Sequence, residues 1–266
     1  MGCDLHIHSC FSFDSNTPFE SICQTAVRRG LRTAAMTDHC DMTDAMEGRR
    51  SYLKNERRRE ESFRQARQAY PQLELLYGVE IGNAIDMPEE TGRFLEERRF
   101  DFVIGAIHFL PDGSDIYRLP YHSGEEIGTM FRQYFRSMMR LAELGGFDSL
   151  AHLDYPLRVL KGKIPVPTVL DYREDIEPIL AELVRKGIAL EVNTRGTYDW
   201  QRRVGPEDWV LRRYRELGGK YVTIGSDAHT AAAVGAGFAE ATEALRRCGF
   251  SAYTVYRERR PVQIGL

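Results

Sequence analysis

The sequence lacks any apolar run that approaches the roughly 20 residues a helix needs to cross a bilayer. The amino terminus also lacks a basic segment followed by an apolar one, so we expect no secretory signal. The five cysteines are odd in number and include no Cys-x-x-Cys pair. We therefore expect a cytoplasmic protein with reduced thiols and no membrane association.

An excess of positive charge is absent as well. The chain has 36 lysines and arginines against 39 acidic residues, which gives a formal net charge of −3. Proteins that bind long nucleic acids carry a basic patch that neutralises phosphates, so the composition argues against such a partner. The length of 266 residues suits one α/β domain over residues 1–266, and nothing in the sequence indicates an oligomeric state.

Short apolar segments alternate with longer amphipathic segments along the chain. The predicted strands are Cys3–Ile7, Thr33–Met36, Leu73–Val79, Phe102–Ile107, Ser149–Leu153, Ile188–Val192 and Tyr221–Ile224. The predicted helices are 17–29, Lys54–Ala69, Glu125–Leu144, Asp171–Lys186, Pro206–Leu217 and Ala232–Arg247. This alternation predicts a parallel sheet with crossover helices, and both an open doubly wound sheet and a closed barrel satisfy it.

Two local patterns predict features of the helices. Thr17-Pro18-Phe19-Glu20 has the form of a capping box, with the threonine as the N-cap. The Arg57-Arg58-Arg59 run precedes Glu60-Glu61, and this mixture of charges predicts a solvated helix face rather than a phosphate-binding patch.

Six of the seven histidines stand at or just beyond the ends of predicted strands: His6, His8, His39, His108, His152 and His229. The carboxyl ends of parallel strands are where α/β folds assemble their active sites. In Asp4-Leu5-His6-Ile7-His8, the period of two places the aspartate and both histidines on one face of the strand. Two imidazoles and a carboxylate that are buried together need a compensating partner, and a divalent metal supplies one.

Carboxylates occupy the same strand ends. Glu80 lies between Gly78 and Gly82, and Asp227 precedes His229 by two residues. A mixture of imidazoles and carboxylates suits zinc, manganese or iron. Because these residues exceed the needs of one four-coordinate ion, we expect two or three divalent ions, with Glu80 as the bridge. A salt-bridged glutamate is the alternative for Glu80 taken alone.

In combination, these motifs resemble the PHP (polymerase and histidinol phosphatase) superfamily, and more narrowly its histidinol-phosphate phosphatases. The motifs that carry the resemblance are Asp4-Leu5-His6-Ile7-His8, Thr37-Asp38-His39, Gly78-Val79-Glu80, Ile104-Gly105-Ala106-Ile107-His108-Phe109 and Gly225-Ser226-Asp227-Ala228-His229. The resemblance implies a distorted (β/α)7 barrel of the TIM type, as a single domain with a trinuclear metal site.

The resemblance also implies how the ligands divide among the metals. The first metal would take His6, His8, Glu80 and Asp227, the second Glu80, His108 and His152, and the third Asp14, His39 and His229. Many relatives have histidine at the place of Asp14, and aspartate there is typical of the phosphatases. A turn aspartate is the alternative for this position.

The activity implied by the resemblance is hydrolysis of L-histidinol phosphate to L-histidinol and phosphate, in histidine biosynthesis. The expected nucleophile is a hydroxide that bridges two metals, without a protein nucleophile. We expect Arg195 and Arg158 to hold the phosphate, because one guanidinium group can donate two parallel hydrogen bonds to phosphoryl oxygens. Glu191 and Asp154 are expected to receive the ammonium group of the substrate or to orient a ligand histidine.

Two other functions fit the same residues. The metals would also serve hydrolysis of another phosphomonoester or of a nucleotide phosphodiester. A non-catalytic, metal-stabilised binding domain is the alternative of another class, although a purely structural site needs no open coordination position.

Overall fold

Parallel strands form the centre of the computed structural model, which describes residues 2–43, 48–120, 122–160 and 168–266. The parallel strands are β1 (Gly2–Ile7), β2 (Leu31–Met36), β3 (His39–Asp41), β4 (Glu74–Gly82), β5 (Phe102–Ala106), β6 (Ser149–Leu150), β7 (Ala189–Asn193) and β8 (Val222–Gly225). Most of their side chains are buried on both faces of the sheet, which is why a strand such as β5 is an almost continuous apolar run.

The sheet closes on itself into a barrel. Neighbouring strands follow the order β1-β2-β4-β5-β6-β7-β8, and β3 pairs with the end of β4. A bridge between Ile7 and Ala228 joins the last strand position to the first, and the amide of His8 donates to the Ala228 carbonyl at 2.9 Å. The prediction of a barrel with seven strand positions is confirmed, and the open doubly wound sheet is excluded.

Helices cover the outside of the barrel. They are α1 (Phe19–Arg28), α2 (Gly48–Ala69), α3 (Pro88–Glu96), α4 (Gly124–Leu144), α5 (Tyr155–Leu160), α6 (Arg173–Lys186), α7 (Asp208–Glu216) and α8 (Phe238–Arg247). The predicted set did not include α3 and α5, since nine and six residues are too few for helical periodicity to stand out. In the described part of the chain, no helix combines the length and apolarity that crossing a membrane requires.

A carboxyl-terminal hairpin, absent from the predicted strands, covers the amino ends of the barrel strands. Its strands β9 (Ala252–Arg257) and β10 (Arg260–Gly265) pair antiparallel across a two-residue turn. Arg259 Nε donates to Asp148 Oδ2 at 2.6 Å, just before β6 begins. The hairpin therefore lies at the end of the barrel opposite to the carboxyl ends of the strands.

The predicted capping box at the start of α1 is wrong. Pro18 is the N-cap of this helix, and no side chain caps it. Thr17 Oγ1 instead donates to the carbonyl oxygen of His229 at 3.0 Å. A contact between residues so far apart in sequence overrides the local pattern.

The prediction of a solvated Arg57-Arg58-Arg59 run is wrong for its last member. Arg57 and Arg58 are exposed, but Arg59 is only 1% exposed. Its guanidinium donates to Asp38 Oδ2 at 2.7 Å and to the Met36 carbonyl at 2.8 Å. Helix α2 packs across the break between β2 and β3, and this tertiary contact supplies partners that sequence periodicity does not reveal.

Candidate metal centre

The first cluster of metal-binding side chains stands at the ends of β1, β4 and β8. His6 Nε2 and His8 Nε2 each lie 3.4 Å from Glu80 Oε2. Asp227 Oδ1 lies 3.8 Å from the His6 nitrogen and 3.5 Å from the His8 nitrogen. All four side chains are buried, so these donor atoms face one another inside the barrel mouth.

A second cluster forms around the other oxygen of Glu80. Glu80 Oε1 lies 2.9 Å from His152 Nε2 and 3.4 Å from His108 Nε2. The two carboxylate oxygens therefore face different groups of imidazoles, which is the geometry of a bridging ligand.

The third cluster joins the loop after β1 to the first residue of β3 and to the loop after β8. Asp14 Oδ2 lies 2.9 Å from His229 Nε2 and 3.6 Å from His39 Nε2. The centroid of the His8 ring lies 4.2 Å from the centroids of the His39 and His229 rings, so the first and third clusters are contiguous. All nine residues that the sequence singled out as metal ligands meet at this end of the barrel.

Several buried atoms in the clusters have no hydrogen-bond partner among the described residues. They include His6 Nε2, His8 Nε2, His39 Nδ1 and Glu80 Oε2. A buried polar atom left in this state costs about 1–3 kcal/mol. Bound divalent cations would satisfy all four atoms at once, and the mixture of imidazole nitrogens and carboxylate oxygens suits such cations.

The protonation states of three of the cluster residues suit metal binding. Burial and the neighbouring imidazole of His229 lower the pKa of His8 to about 3, so this ring is neutral near neutral pH. Burial opposes ionisation of Asp227, but the Arg158 guanidinium holds the pKa of that carboxyl well below its usual value. The surrounding imidazoles likewise hold the pKa of Glu80 low against the effect of burial. Neutral imidazoles and ionised carboxylates are the forms that bind metals.

Three further imidazoles of the clusters hold protons more tightly. Burial lowers the pKa of His6, His39 and His108, but the nearby carboxylates raise it above its usual value. A metal would therefore displace protons from these rings.

Outer partners orient three of the imidazoles. Glu191 Oε1 lies 2.6 Å from His6 Nδ1, and Asp41 Oδ1 lies 2.7 Å from His108 Nδ1. Ser12 Oγ lies 3.0 Å from Nδ1 of the third ring, that of His8. Such contacts leave the Nε2 atoms directed into the clusters.

Asp41 is a member of this site that the sequence interpretation missed. In β3 the period of two places Asp41 on the same face as His39, and this signal was available. Gly82 makes room for the contact, because a Cβ at that position would lie 1.7 Å from Asp41 Oδ1. The absence of a side chain at Gly82 thus lets the Asp41 carboxylate reach His108.

A cavity of about 390 Å³ opens onto the clusters. Arg158 and Arg195 line it, together with ligand candidates from the second and third clusters. Arg158 donates through Nη1 to Asp227 and through Nη2 to Asn193 Oδ1 at 3.1 Å. Arg195 Nη1 lies 3.2 Å from the Asp227 carbonyl oxygen. Both guanidinium groups therefore border the space beside the metal-binding atoms.

Comparison with known proteins identifies the family. The PHP domain model matches residues 4–195 of the chain. The chain belongs to the PHP domain family. It is 30% identical over 250 residues to a probable histidinol-phosphatase of Thermotoga maritima, covering 93% of this chain and 92% of that one. It is 29% identical to a probable histidinol-phosphatase of Clostridium acetobutylicum, covering 92% and 93% of the two chains.

A solved structure has the same PHP fold. It is the histidinol phosphate phosphatase of Lactococcus lactis in complex with zinc, L-histidinol and phosphate. The two chains are 24% identical, superpose with a TM-score of 0.77, and cover 98% of each other. The fold implied by the sequence motifs is therefore confirmed by the architecture of a solved relative.

Two residues expected to contact a substrate lie behind the cavity wall of this PHP domain. Glu191 is 2% exposed, bonds His6, and accepts the backbone N–H of His152 at 2.8 Å. Asp154 Oδ2 stands 3.7 Å from Arg203 Nη1. Neither Glu191 nor Asp154 lines the cavity, so these positions give no direct contact with a substrate. For Glu191 the alternative role, orientation of a histidine, matches the geometry.

Several residues of the cavity wall were not foreseen. They are Phe13, Phe109, Asp115, Tyr117, Arg118 and Tyr155. Phe13 and Tyr117 are 45% and 51% exposed, so they stand at the mouth of the cavity. Apart from Tyr155, which begins α5, these residues lie on loops outside the helices and strands, and no periodic pattern marks loop residues in a PHP sequence.

Proposed function

We propose that this protein is a metal-dependent phosphomonoesterase that hydrolyses L-histidinol phosphate to L-histidinol and phosphate. The observation that carries the proposal is the position of Glu80, whose two oxygens face separate imidazole groups beside a cavity bordered by two arginines. The relatives from Thermotoga maritima and Clostridium acetobutylicum support the choice of substrate, because both are named probable histidinol-phosphatases and match most of the chain.

The proposed metal ligands follow the three clusters. They are His6, His8, Glu80 and Asp227 for the first ion, Glu80, His108 and His152 for the second, and Asp14, His39 and His229 for the third. Metals bound here would activate a water molecule and neutralise phosphoryl oxygens. Zinc, manganese and iron all suit these ligands, and zinc is the ion found in the Lactococcus lactis enzyme.

The protein's own residues would position the phosphate. Arg195 and Arg158 present guanidinium groups at the cavity wall, where they would donate hydrogen bonds to phosphoryl oxygens. Arg158 also keeps Asp227 ionised, so it supports the first cluster as well as the substrate. Phe13 and Tyr155 add apolar surface that would exclude water from the reacting groups.

Removal of metal tests the proposal directly. We expect a chelator to abolish hydrolysis of L-histidinol phosphate, and zinc, manganese or iron(II) to restore it. A panel with p-nitrophenyl phosphate and a nucleotide phosphodiester separates the alternative substrates. Metal-loaded protein that hydrolyses none of these esters would instead indicate the non-catalytic binding domain.

Replacement of Arg195 by methionine tests the phosphate contact. A charge-assisted hydrogen bond contributes about 1.5–3 kcal/mol, so we expect kcat/KM to fall about 10- to 100-fold. Inhibition by inorganic phosphate should weaken in parallel, and metal content is measured on the same preparation because Arg195 Nη1 also lies 3.0 Å from His229 Nδ1. The control is Arg185→Met on α6, an exposed arginine paired with Glu182. Unchanged kcat/KM for the Arg195 variant would remove it from the phosphate site.

A further inference from the structure

The hydroxyl group of Ser12 occupies a junction next to the metal-binding clusters. Ser12 Oγ lies 3.0 Å from His8 Nδ1, 3.1 Å from Asp38 Oδ1 and 3.1 Å from the backbone nitrogen of His39. The serine is 4% exposed, so water does not compete for these contacts. A hydroxyl has one proton to donate and two lone pairs that accept, and the three partners use all of them.

Asp38 is surrounded by donors. The Ser9 backbone N–H donates to Oδ1 at 2.6 Å, and Arg59 Nε donates to Oδ2 at 2.7 Å. Ser9 Oγ lies 2.8 Å from Oδ1 and itself accepts the Phe11 N–H at 3.2 Å, so its proton points to Asp38. Because backbone amides and guanidinium groups only donate, the carboxylate is ionised and has no proton for Ser12.

The direction of each hydrogen bond around Ser12 follows from this. Its proton goes to Asp38, and the His39 N–H occupies one of its lone pairs. The remaining lone pair must accept, so the His8 ring carries its proton on Nδ1. The unprotonated nitrogen is then Nε2, which stands 3.4 Å from Glu80 Oε2.

We propose that Arg59, Asp38 and Ser12 form a positioning relay that sets the tautomer and ring orientation of His8 and anchors the backbone of His39. The relay starts in helix α2, outside the barrel, and ends at two of the proposed metal ligands. It rests on the proposed function to the extent that His8 is taken as a metal ligand. Ser12 is thus a positioning residue that touches neither metal nor substrate.

The tautomer of wild-type His8 is the first test. We expect nitrogen-15 NMR of the zinc-loaded protein with labelled histidine to place the His8 proton on Nδ1. The second test is zinc affinity of Ser12→Ala, measured by competition with a chromophoric chelator. Loss of such an outer contact lowers metal affinity about 10- to 100-fold, and Ser12→Thr, which keeps the hydroxyl, should recover most of it.

Ser149→Ala is the matched control. Ser149 is fully buried and its hydroxyl bonds Thr223 at 2.7 Å near the amino end of the barrel. It should lose one buried hydrogen bond without a change in zinc affinity. Wild-type zinc affinity in Ser12→Ala, an equal loss in both alanine variants, or a wild-type His8 proton on Nε2 would each refute the relay. Wild-type protein that binds no zinc would instead refute the proposed metal site itself.

Discussion

Replacement of Glu80 by glutamine is expected to remove bound metal and phosphatase activity together. Glutamine keeps the shape of the side chain but offers one neutral oxygen in place of two anionic ones. In the structure one oxygen faces His6 and His8, and the other faces His152 and His108. Metal catalysis contributes several kcal/mol, so we expect kcat/KM to fall by about a thousandfold or more.

Metal analysis and kinetics on the same preparation check this result. Glu74→Gln is the control, because Glu74 begins the same strand β4 at the opposite end of the barrel, where it pairs with Arg257. Its metal content and activity should stay near those of the wild type. A Glu80→Gln protein with full metal content and full activity would contradict the bridging role.

Of the substitutions proposed for this protein, Arg59→Met is expected to lower the free energy of unfolding the most. The change leaves the Asp38 carboxylate buried without its counter-charge, and breaking such a pair costs about 3–5 kcal/mol. For a domain of this size the melting temperature should fall by about 10 °C. Thermal unfolding of the metal-free protein measures the effect without a contribution from metal binding.

Two further variants show how much of the stability change in Arg59→Met comes from the uncompensated charge of Asp38. Arg58→Met alters the exposed neighbour on α2 and should change the free energy of unfolding by no more than about 0.5 kcal/mol. Adding Asp38→Asn to Arg59→Met should recover part of the lost stability, because the uncompensated charge is then removed. A single Arg59→Met variant as stable as the wild type would mean that Asp38 does not depend on this guanidinium.

The parallel sheet and the meeting of the histidines could be predicted because both depend on local patterns, whereas closure of the sheet into a barrel was implied only by the family resemblance. Alternation of apolar segments with amphipathic ones indicates parallel strands and crossover helices, and parallel strands bring their carboxyl ends to one edge. His6 and His8 share a face because strand side chains repeat every two residues. The structure then places Glu80 and Asp227 beside them.

The residues that support the clusters could not be predicted in the same way. The charge pattern around Arg59 is that of an exposed helix face, and its burial depends on where α2 crosses the sheet. Ser12 lies in a loop without periodicity. The residues of the cavity wall could not be predicted from the sequence either, since Phe13 and Tyr117 lie on loops whose paths depend on their neighbours in space.

By itself, the sequence determined the strand ends, the residue types that stand there and the kind of chemistry they suit. Only the tertiary structure decided which partner each of them meets, as with His6 and Glu191, 185 residues apart and 2.6 Å from each other. The physical reason is that covalent geometry sets side-chain direction within a strand, whereas closure of the barrel sets distances between strands. Burial of those contacts then determines their charge and orientation.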